Sequence, residues 1–348
     1  MVDSTRTVAA LAAATLLLAA GAGQAAGATP TPAAACPSSV IPMPPGMGLT
    51  LATTIKPVNT ANSTVLNPSE PQIQCGTKPL TTHNDVVYTS GTAQLKLDIV
   101  APATPGPKPL VVYLPGGGFI TADRTQTLGK RTYIAEQGFV VASVQYRAAA
   151  DGAVYTDALQ DVKAALAFLR LHAPEYGIDP GRIALWGQSA GGYMAAMAGL
   201  DGNGVRGVID AFGPSDLSAV GADYDDTAKA ADVAPGNNYA RWVYGPGTTK
   251  STADYTPEVA AADPSTHVTP LSPPFLLLHG TADQLISPSQ TLLLANALKA
   301  KGVPFTRYLV QGGNHGDFAF TDNDPAVALW TSVTVMSKIV DFLRQRLR

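Results

Sequence analysis

The chain has 348 residues, 46% of them hydrophobic and 14% charged, with a formal net charge of −3. That is apolar material for one large core or two modest ones, and a chain of this length often folds as one domain. No basic block precedes the last predicted helix, so nucleic acid and anionic membrane surfaces are poor partners.

Residues 1–28 carry Arg6, an apolar run from Val8 to Ala20 and small residues from Gly23 to Ala28, the pattern of a secretory signal cleaved after Ala25 or Ala28. The run is too short and alanine-rich to span a membrane, so no stable membrane insertion is expected. Export predicts a secreted protein, extracellular or periplasmic. There Cys36 and Cys75, the only two cysteines, read as a disulfide. Residues 29–80 are rich in Pro, Thr, Asn and Ser and predict an irregular arm hugging the surface.

The body then begins, over 81–348. Asp85 to Thr89 and Gln94 to Val100 predict a hairpin around Ser90-Gly91. Leu110 to Leu114 is a continuous apolar run, as in a strand covered on both faces. Strands and helices alternate from there: helix 125–137, strand 139–143, a helix from Thr156, strand 182–186, a small-residue helix, strand 207–212, strand 275–279, helix 287–301, strand 305–310 and one last helix from about Pro325 to Arg348. Such alternation specifies an α/β fold with a mostly parallel sheet and helices on both faces. Residues 215–274 break the pattern and read as a lid insertion above the carboxyl ends of the strands, where ligands bind in such folds.

Gly187-Gln188-Ser189-Ala190-Gly191 sits where a strand meets a helix. Glycines flank the serine because a Cβ at 187 or 191 would collide as the chain turns, and the turn exposes the hydroxyl at a helix N-terminus. A serine needs a base, and the base a carboxylate. In the order nucleophile, acid, base, His83 and His172 come too early, and His267 and His279 precede the best acid. Asp283 and His315, each just past a predicted buried strand, complete a catalytic set with Ser189; His279 shapes the acid loop and Asp317 is the reserve acid. Leu114-Pro115-Gly116-Gly117-Gly118-Phe119 lets a glycine run fold beside the serine, so the amides of Gly117, Gly118 and Ala190 are the expected oxyanion donors. Phe119, Tyr239, Trp242 and Tyr244 are candidate substrate contacts, or else rings that pin the insertion to the body. The set calls for no metal and no organic cofactor.

These motifs, with Gln145-Tyr146-Arg147, Tyr176-Gly177-Ile178-Asp179-Pro180, Gly213-Pro214-Ser215-Asp216-Leu217 and His279-Gly280-Thr281-Ala282-Asp283, resemble the α/β-hydrolase esterase/lipase family, in particular its hormone-sensitive-lipase-like and bifunctional acetylxylan/feruloyl esterase branches. The resemblance implies the α/β-hydrolase fold and a secreted serine carboxylesterase acting through an acyl-enzyme on short-chain or aryl esters, such as acetyl or feruloyl esters of plant polysaccharide. Its substrate would be a small or polymer-borne ester. Alternatives are a peptidase or amidase with the same triad, a hydrolase of polyester or lipid esters, and a non-catalytic binding protein. Pro115 stands where the family usually has histidine, and Ala148-Ala149-Ala150 replaces the acidic continuation after Tyr146-Arg147. Nothing in the sequence selects an oligomeric state.

Overall fold

Both faces of the run Leu110 to Leu114 are covered. Leu110, Val112 and Leu114 point into one apolar layer, Val111 and Tyr113 into the other, and none has exposed area. This alternation is the period-2 geometry of a strand at the centre of a doubly covered sheet. The computed structural model describes residues 34–37, 41–42, 48–69, 71–89, 94–316, 318–319 and 325–348, all within one unit, Ala33–Arg348.

In chain order the sheet is built from β1 (Thr64–Leu66), β2 (Leu80–Val87), β3 (Lys96–Pro102), β4 (Lys108–Leu114), β5 (Val140–Val144), β6 (Ile178–Gln188), β7 (Gly207–Ala211), β8 (Phe275–Gly280) and β9 (Phe305–Val310). The order across it is β1-β9-β8-β7-β6-β4-β5-β3-β2. Only β3 runs antiparallel to its neighbours; the other pairs are parallel. The helices are α1 (Leu128–Glu136), α2 (Tyr155–Leu171), α3 (Ala190–Leu200), α4 (Asp226–Asp232), α5 (Asn238–Tyr244), α6 (Pro257–Ala262), α7 (Ser289–Ala300), α8 (Pro325–Leu329) and α9 (Val333–Arg346). One apolar layer takes Val162, Leu166 and Leu169 of α2, Met194 of α3, and Leu294 and Leu298 of α7. The other takes Ile134 of α1 and Met336, Ile339, Val340 and Leu343 of α9. This is the α/β-hydrolase fold, with α4, α5 and α6 forming the insertion. No described helix is long and apolar enough to cross a membrane.

Two sequence expectations need correction. The arm is not irregular throughout: β1 pairs in parallel with β9 at the sheet edge, and Ala34–Ala35 pairs with Gln74–Cys75 beside the expected Cys36–Cys75 disulfide. A three-residue strand is too short to leave a readable period. The last helix is broken between α8 and α9. There the Ser332 hydroxyl accepts from the Val335 amide at 3.3 Å and Trp330 turns inward, 2% exposed, so the interruption exchanges helical continuity for burial of one large ring. The signal segment 1–28 and the Ser90-Gly91 turn lie outside the described residues.

Asp210, on β7, has no exposed area. Its Oδ1 accepts from the Gly213 amide at 2.9 Å, while Oδ2 has no partner among the described residues. Burial pushes this carboxyl up to about 7. A carboxyl raised in the folded state takes up a proton on folding, so its effect is absent below the unfolded value of about 3.9 and costs stability progressively as pH rises from there to about 7. Asp210→Asn keeps an acceptor for Gly213 and cannot ionise. Thermal melts should show the variant gaining over wild type above pH 7 and not near pH 4. A pH slope should persist in the variant, because burial also pushes Asp232 and Asp263 up to about 7.

Candidate active site

β6 ends at Gln188 and α3 begins at Ala190, leaving Ser189 alone to reverse the chain. Its φ of 56° and ψ of −127° lie where a side-chain-bearing residue is strained. The surroundings enforce the conformation: the Ser189 amide donates to Ala211 O at 2.9 Å and its carbonyl accepts from the Tyr193 amide at 3.0 Å. A Cβ at Gly187 would lie 1.9 Å from Gly191 O, and one at Gly191 would lie 2.0 Å from Leu114 O. Both flanking glycines are therefore required. The collision at Gly191 comes from the end of β4 and not from the serine's own strand, so the same glycine that permits the turn draws the Pro115–Gly118 loop against it.

His315 Nε2 lies 2.8 Å from Ser189 Oγ, and Nδ1 lies 2.8 Å and 3.1 Å from Asp283 Oδ2 and Oδ1. Asp283 and His315 have no exposed area and Ser189 is 2% exposed. With an ionised Asp283 accepting from Nδ1–H, Nε2 carries the lone pair and accepts from the serine hydroxyl, the tautomer needed for a general base. Burial alone would push the Asp283 carboxyl up. The charge of His315 and the hydrogen bonds from His279 and His315 overcome that and hold it well below the usual carboxylate range. The acid also accepts from the Leu285 and Ile286 amides at 2.9 Å and 3.0 Å.

Several residues that sequence reasoning missed hold these loops in register. Phe212, itself at positive φ, sets its ring edgewise on His315 at 4.9 Å and on Trp330 at 4.8 Å. Trp330 Nε1 donates to Asn314 O at 3.1 Å. Gln284 and Asn314 join the acid and base loops through two hydrogen bonds, 2.9 Å and 3.1 Å. Ala52 of the arm then exchanges bonds with Gln284, and Tyr224 Oη donates to Asp283 O at 2.9 Å. Arm and insertion thus reach the acid loop directly. The only sequence signal for this was Asn314 and Gln284 flanking the two motifs. His83, His172 and His267 engage Tyr176, Glu175 and Ala261 O and take no part; Asp317 lies outside the described residues.

The glycine loop packs on the turn: a Cβ at Gly116 would lie 3.1 Å from Ser189 Cβ, and one at Gly117 would lie 2.0 Å from Thr121 O. Gly117 and Gly118 have φ of 155° and 62°. Among the described residues nothing accepts from the amides of Gly117, Gly118 or Ala190, which leaves them for a ligand oxygen. The loop is fixed from behind by Tyr146, fully buried, whose hydroxyl donates to Pro115 O at 2.6 Å. That contact uses the Pro115 carbonyl, which a histidine would supply equally.

The aromatic residues expected as substrate contacts do not line an open pocket. Phe119, Tyr239 and Trp242 are at most 5% exposed, and Phe119 packs on Tyr193, Tyr239 and Trp242 with centroids 5.2–5.6 Å apart. Tyr244 pairs its hydroxyl with Thr256 at 2.8 Å, and Lys250 lies over its ring. Tyr239 and Trp242 thus pin α5 to the body through Phe119 and Tyr193, burying apolar rings, while Tyr244 ties α5 to the residue ahead of α6. Among the described residues no group of three or more His, Cys, Asp or Glu could hold a metal ion.

The chain matches the BD-FAE family over residues 97–298, more than half its length. It belongs to that family. Its site is that of a serine hydrolase. Among curated relatives, it is 31% identical over 220 residues to Esterase LipC of Mycobacterium tuberculosis (strain ATCC 25618 / H37Rv), covering 60% of this chain and 53% of that one. It is 29% identical over 245 residues to a probable isoprenylcysteine alpha-carbonyl methylesterase, ICMEL1, of Arabidopsis thaliana, covering 65% of this chain and 49% of that one. The chain thus spans about half the length of these relatives. Among solved structures, Thermogutta terrifontis esterase 2 phosphonylated by sarin superposes with a TM-score of 0.60 at 25% identity, covering 75% and 93% of the two chains. A truncated carbohydrate esterase from gut microbiota shares the fold, with a TM-score of 0.65 at 22% identity, covering 76% and 96%.

If Tyr146 sets the glycine loop through its hydroxyl, Tyr146→Phe should lower kcat roughly tenfold with little change in KM, the pattern of a loss confined to the transition state. Pro115→His, which keeps the carbonyl, should change kcat by less than tenfold. Steady-state kinetics on one nitrophenyl ester compares the two.

Proposed function

We propose that the protein is a secreted serine carboxylesterase that removes short-chain or aryl acyl groups through an acyl-enzyme. The observation that carries the reading is the continuous path from Ser189 Oγ through His315 to Asp283, with both contacts at 2.8 Å. Ser189 Oγ attacks the ester carbonyl carbon while its proton passes to His315 Nε2. The tetrahedral oxyanion takes hydrogen bonds from the amides of Gly117, Gly118 and Ala190. As the C–O bond to the alcohol breaks, His315 returns the proton to the leaving oxygen. Water then repeats the sequence on the acyl-enzyme and frees the acid. Asp283 keeps its charge throughout and steadies the imidazolium. The names of the curated relatives, esterase and methylesterase, support ester over amide substrates. A serine 2% exposed favours small acyl groups such as acetyl, and the family resemblance extends the proposal to acetyl or feruloyl esters of plant polysaccharide. The 1–28 signal pattern supports action outside the cytoplasm.

Mature protein should hydrolyse nitrophenyl acetate well, with rates falling toward the octanoate, and methyl ferulate should report whether an aryl acyl group is accepted. Ser189→Ala should lose at least about a thousandfold in kcat, and a fluorophosphonate should label Ser189 in wild type and not in the variant by peptide mass spectrometry. Ester turnover surviving in Ser189→Ala would refute the assignment.

A further inference from the structure

Behind the acid lies a second histidine that the reaction sequence above does not use. His279, at the end of β8, has no exposed area. Its Nε2 lies 2.9 Å from Ile286 O and 3.3 Å from Asp283 Oδ2. A carbonyl can only accept, so Nε2 carries the proton and presents it in a fork to the carbonyl and to the acid. In the neutral imidazole Nδ1 is then the accepting nitrogen, and its neighbour is Thr291 Oγ1 at 3.1 Å.

The threonine is itself constrained. Arg307 Nε donates to Thr291 Oγ1 at 3.0 Å, which occupies the hydroxyl oxygen and directs its own proton elsewhere. The other acceptor in range, Pro288 O, is 3.5 Å away and already takes Arg307 Nη2 at 2.6 Å. The hydroxyl proton therefore goes to His279 Nδ1. Arg307 is 1% exposed and is anchored on the far side by the arm, through Asn59 O at 3.3 Å and the Ser63 hydroxyl. Arg307 thus donates to the arm on one side and to Thr291 on the other, Thr291 donates to His279, and His279 donates to Asp283, the same carboxylate that accepts from His315.

We propose that His279 is a positioning residue for the reaction at Ser189: Arg307 and Thr291 lock it in the Nε2–H tautomer, and this N–H is a further donor, beside His315 and the two loop amides, that holds the Asp283 carboxylate against His315 and shares its charge. The inference rests on the catalytic reading of Ser189, His315 and Asp283. The charge a carboxylate lends to an imidazolium falls as other donors bind it. His279 therefore moderates how strongly Asp283 favours protonated over neutral His315, while the two loop amides and the Gln284–Asn314 pair fix where the acid sits. The charged and titratable groups around the ring are Asp283 and His315 on the two loops, Arg307 on β9, and Asp223 and Tyr224 from the insertion; Asp223 binds the Ser287 hydroxyl beside the acid loop. Phe212, just past β7, sets its ring 6.5 Å from that of His279 and carries no charge.

The test is the pH profile of kcat/KM on nitrophenyl acetate for wild type, His279→Leu, His279→Gln and Thr291→Val, alongside proton NMR of the low-field His315–Asp283 resonance. His279→Leu removes the donor, so kcat/KM should fall roughly tenfold, the acid limb should move to higher pH, and the resonance should move downfield. His279→Gln places an amide N–H near the position of Nε2 and should restore both the limb and the resonance. Thr291→Val frees the tautomer and should shift both in the direction of His279→Leu by a smaller amount. A rate loss in His279→Leu with unmoved limb and resonance, or a His279→Gln variant indistinguishable from His279→Leu, would overturn the inference. The resonance is read on protein whether or not it turns over ester, so absence of wild-type turnover would count against the esterase reading alone. If His279→Leu does not fold, Thr291→Val decides: its limb and resonance should shift while those of His279→Gln match wild type, and an unmoved limb and resonance in Thr291→Val would overturn the inference.

Discussion

The structure depends on one tight crossing, where the end of β4, the end of β6 and the start of α3 meet within contact of bare backbone. Leu114 O, Gly187, Ser189 and Gly191 approach so closely that a Cβ at Gly187 or Gly191 would come within 2.0 Å of a carbonyl oxygen. Everything chemical follows from that approach. It forces Ser189 into its strained conformation, lifts the hydroxyl off the sheet, aims the first amide of α3 at the same point, and lays the Gly116–Gly118 loop beside it. Local strain of this kind persists only where the surroundings over-determine it. Here the determinants are β7, through the Ala211 carbonyl that holds the Ser189 amide, and the buried Asp210 beside Gly192 and Gly213.

The acid and base are organised differently. They sit on loops after β8 and β9, where the backbone has no ladder to hold it, and their placement comes from side-chain hydrogen bonds and ring packing. Gln284 with Asn314, Trp330 with Asn314 O, and Phe212 against His315 are contacts between segments far apart in sequence. Such contacts explain how a buried carboxylate stays ionised: no single partner compensates its desolvation, but the charge of His315 and the histidine and amide donors together do.

This contrast also explains what could be read from the sequence. The sheet, its two helical layers and the elbow were legible because each rests on local pattern: the run Leu110 to Leu114, the helical spacing of Val162, Leu166 and Leu169, and glycines two residues either side of Ser189. Asp283 and His315 were legible because they fall just past strands in a fixed chain order. The arm was misread as irregular because its decisive residues, Ala52, Asn59, Ser63 and the short strand β1, act one at a time on distant partners. The break after α8 was missed because Trp330, Thr331 and Ser332 carry no strong helix breaker, and the gain that stops the helix there, burial of Trp330 against Phe212, is tertiary. The aromatic residues of the insertion were visible as a group, but whether they faced a cavity or the body depended on Tyr193, which the sequence placed only in the helix after the elbow.

The short strand β1 has a consequence for the outer boundary of the sheet. A parallel sheet that ended at β9 would offer a row of unpaired amides and carbonyls along Tyr308 to Val310, a template for pairing with another chain. Three arm residues cover that row. At the opposite boundary β2 changes register between His83 and Val86, where Asp85 takes a positive φ and is clasped by Lys96 and Arg124, so a flat strand cannot be added there either. Both margins are blunted against edge-to-edge growth: one by an outermost strand only three residues long, the other by a charged kink.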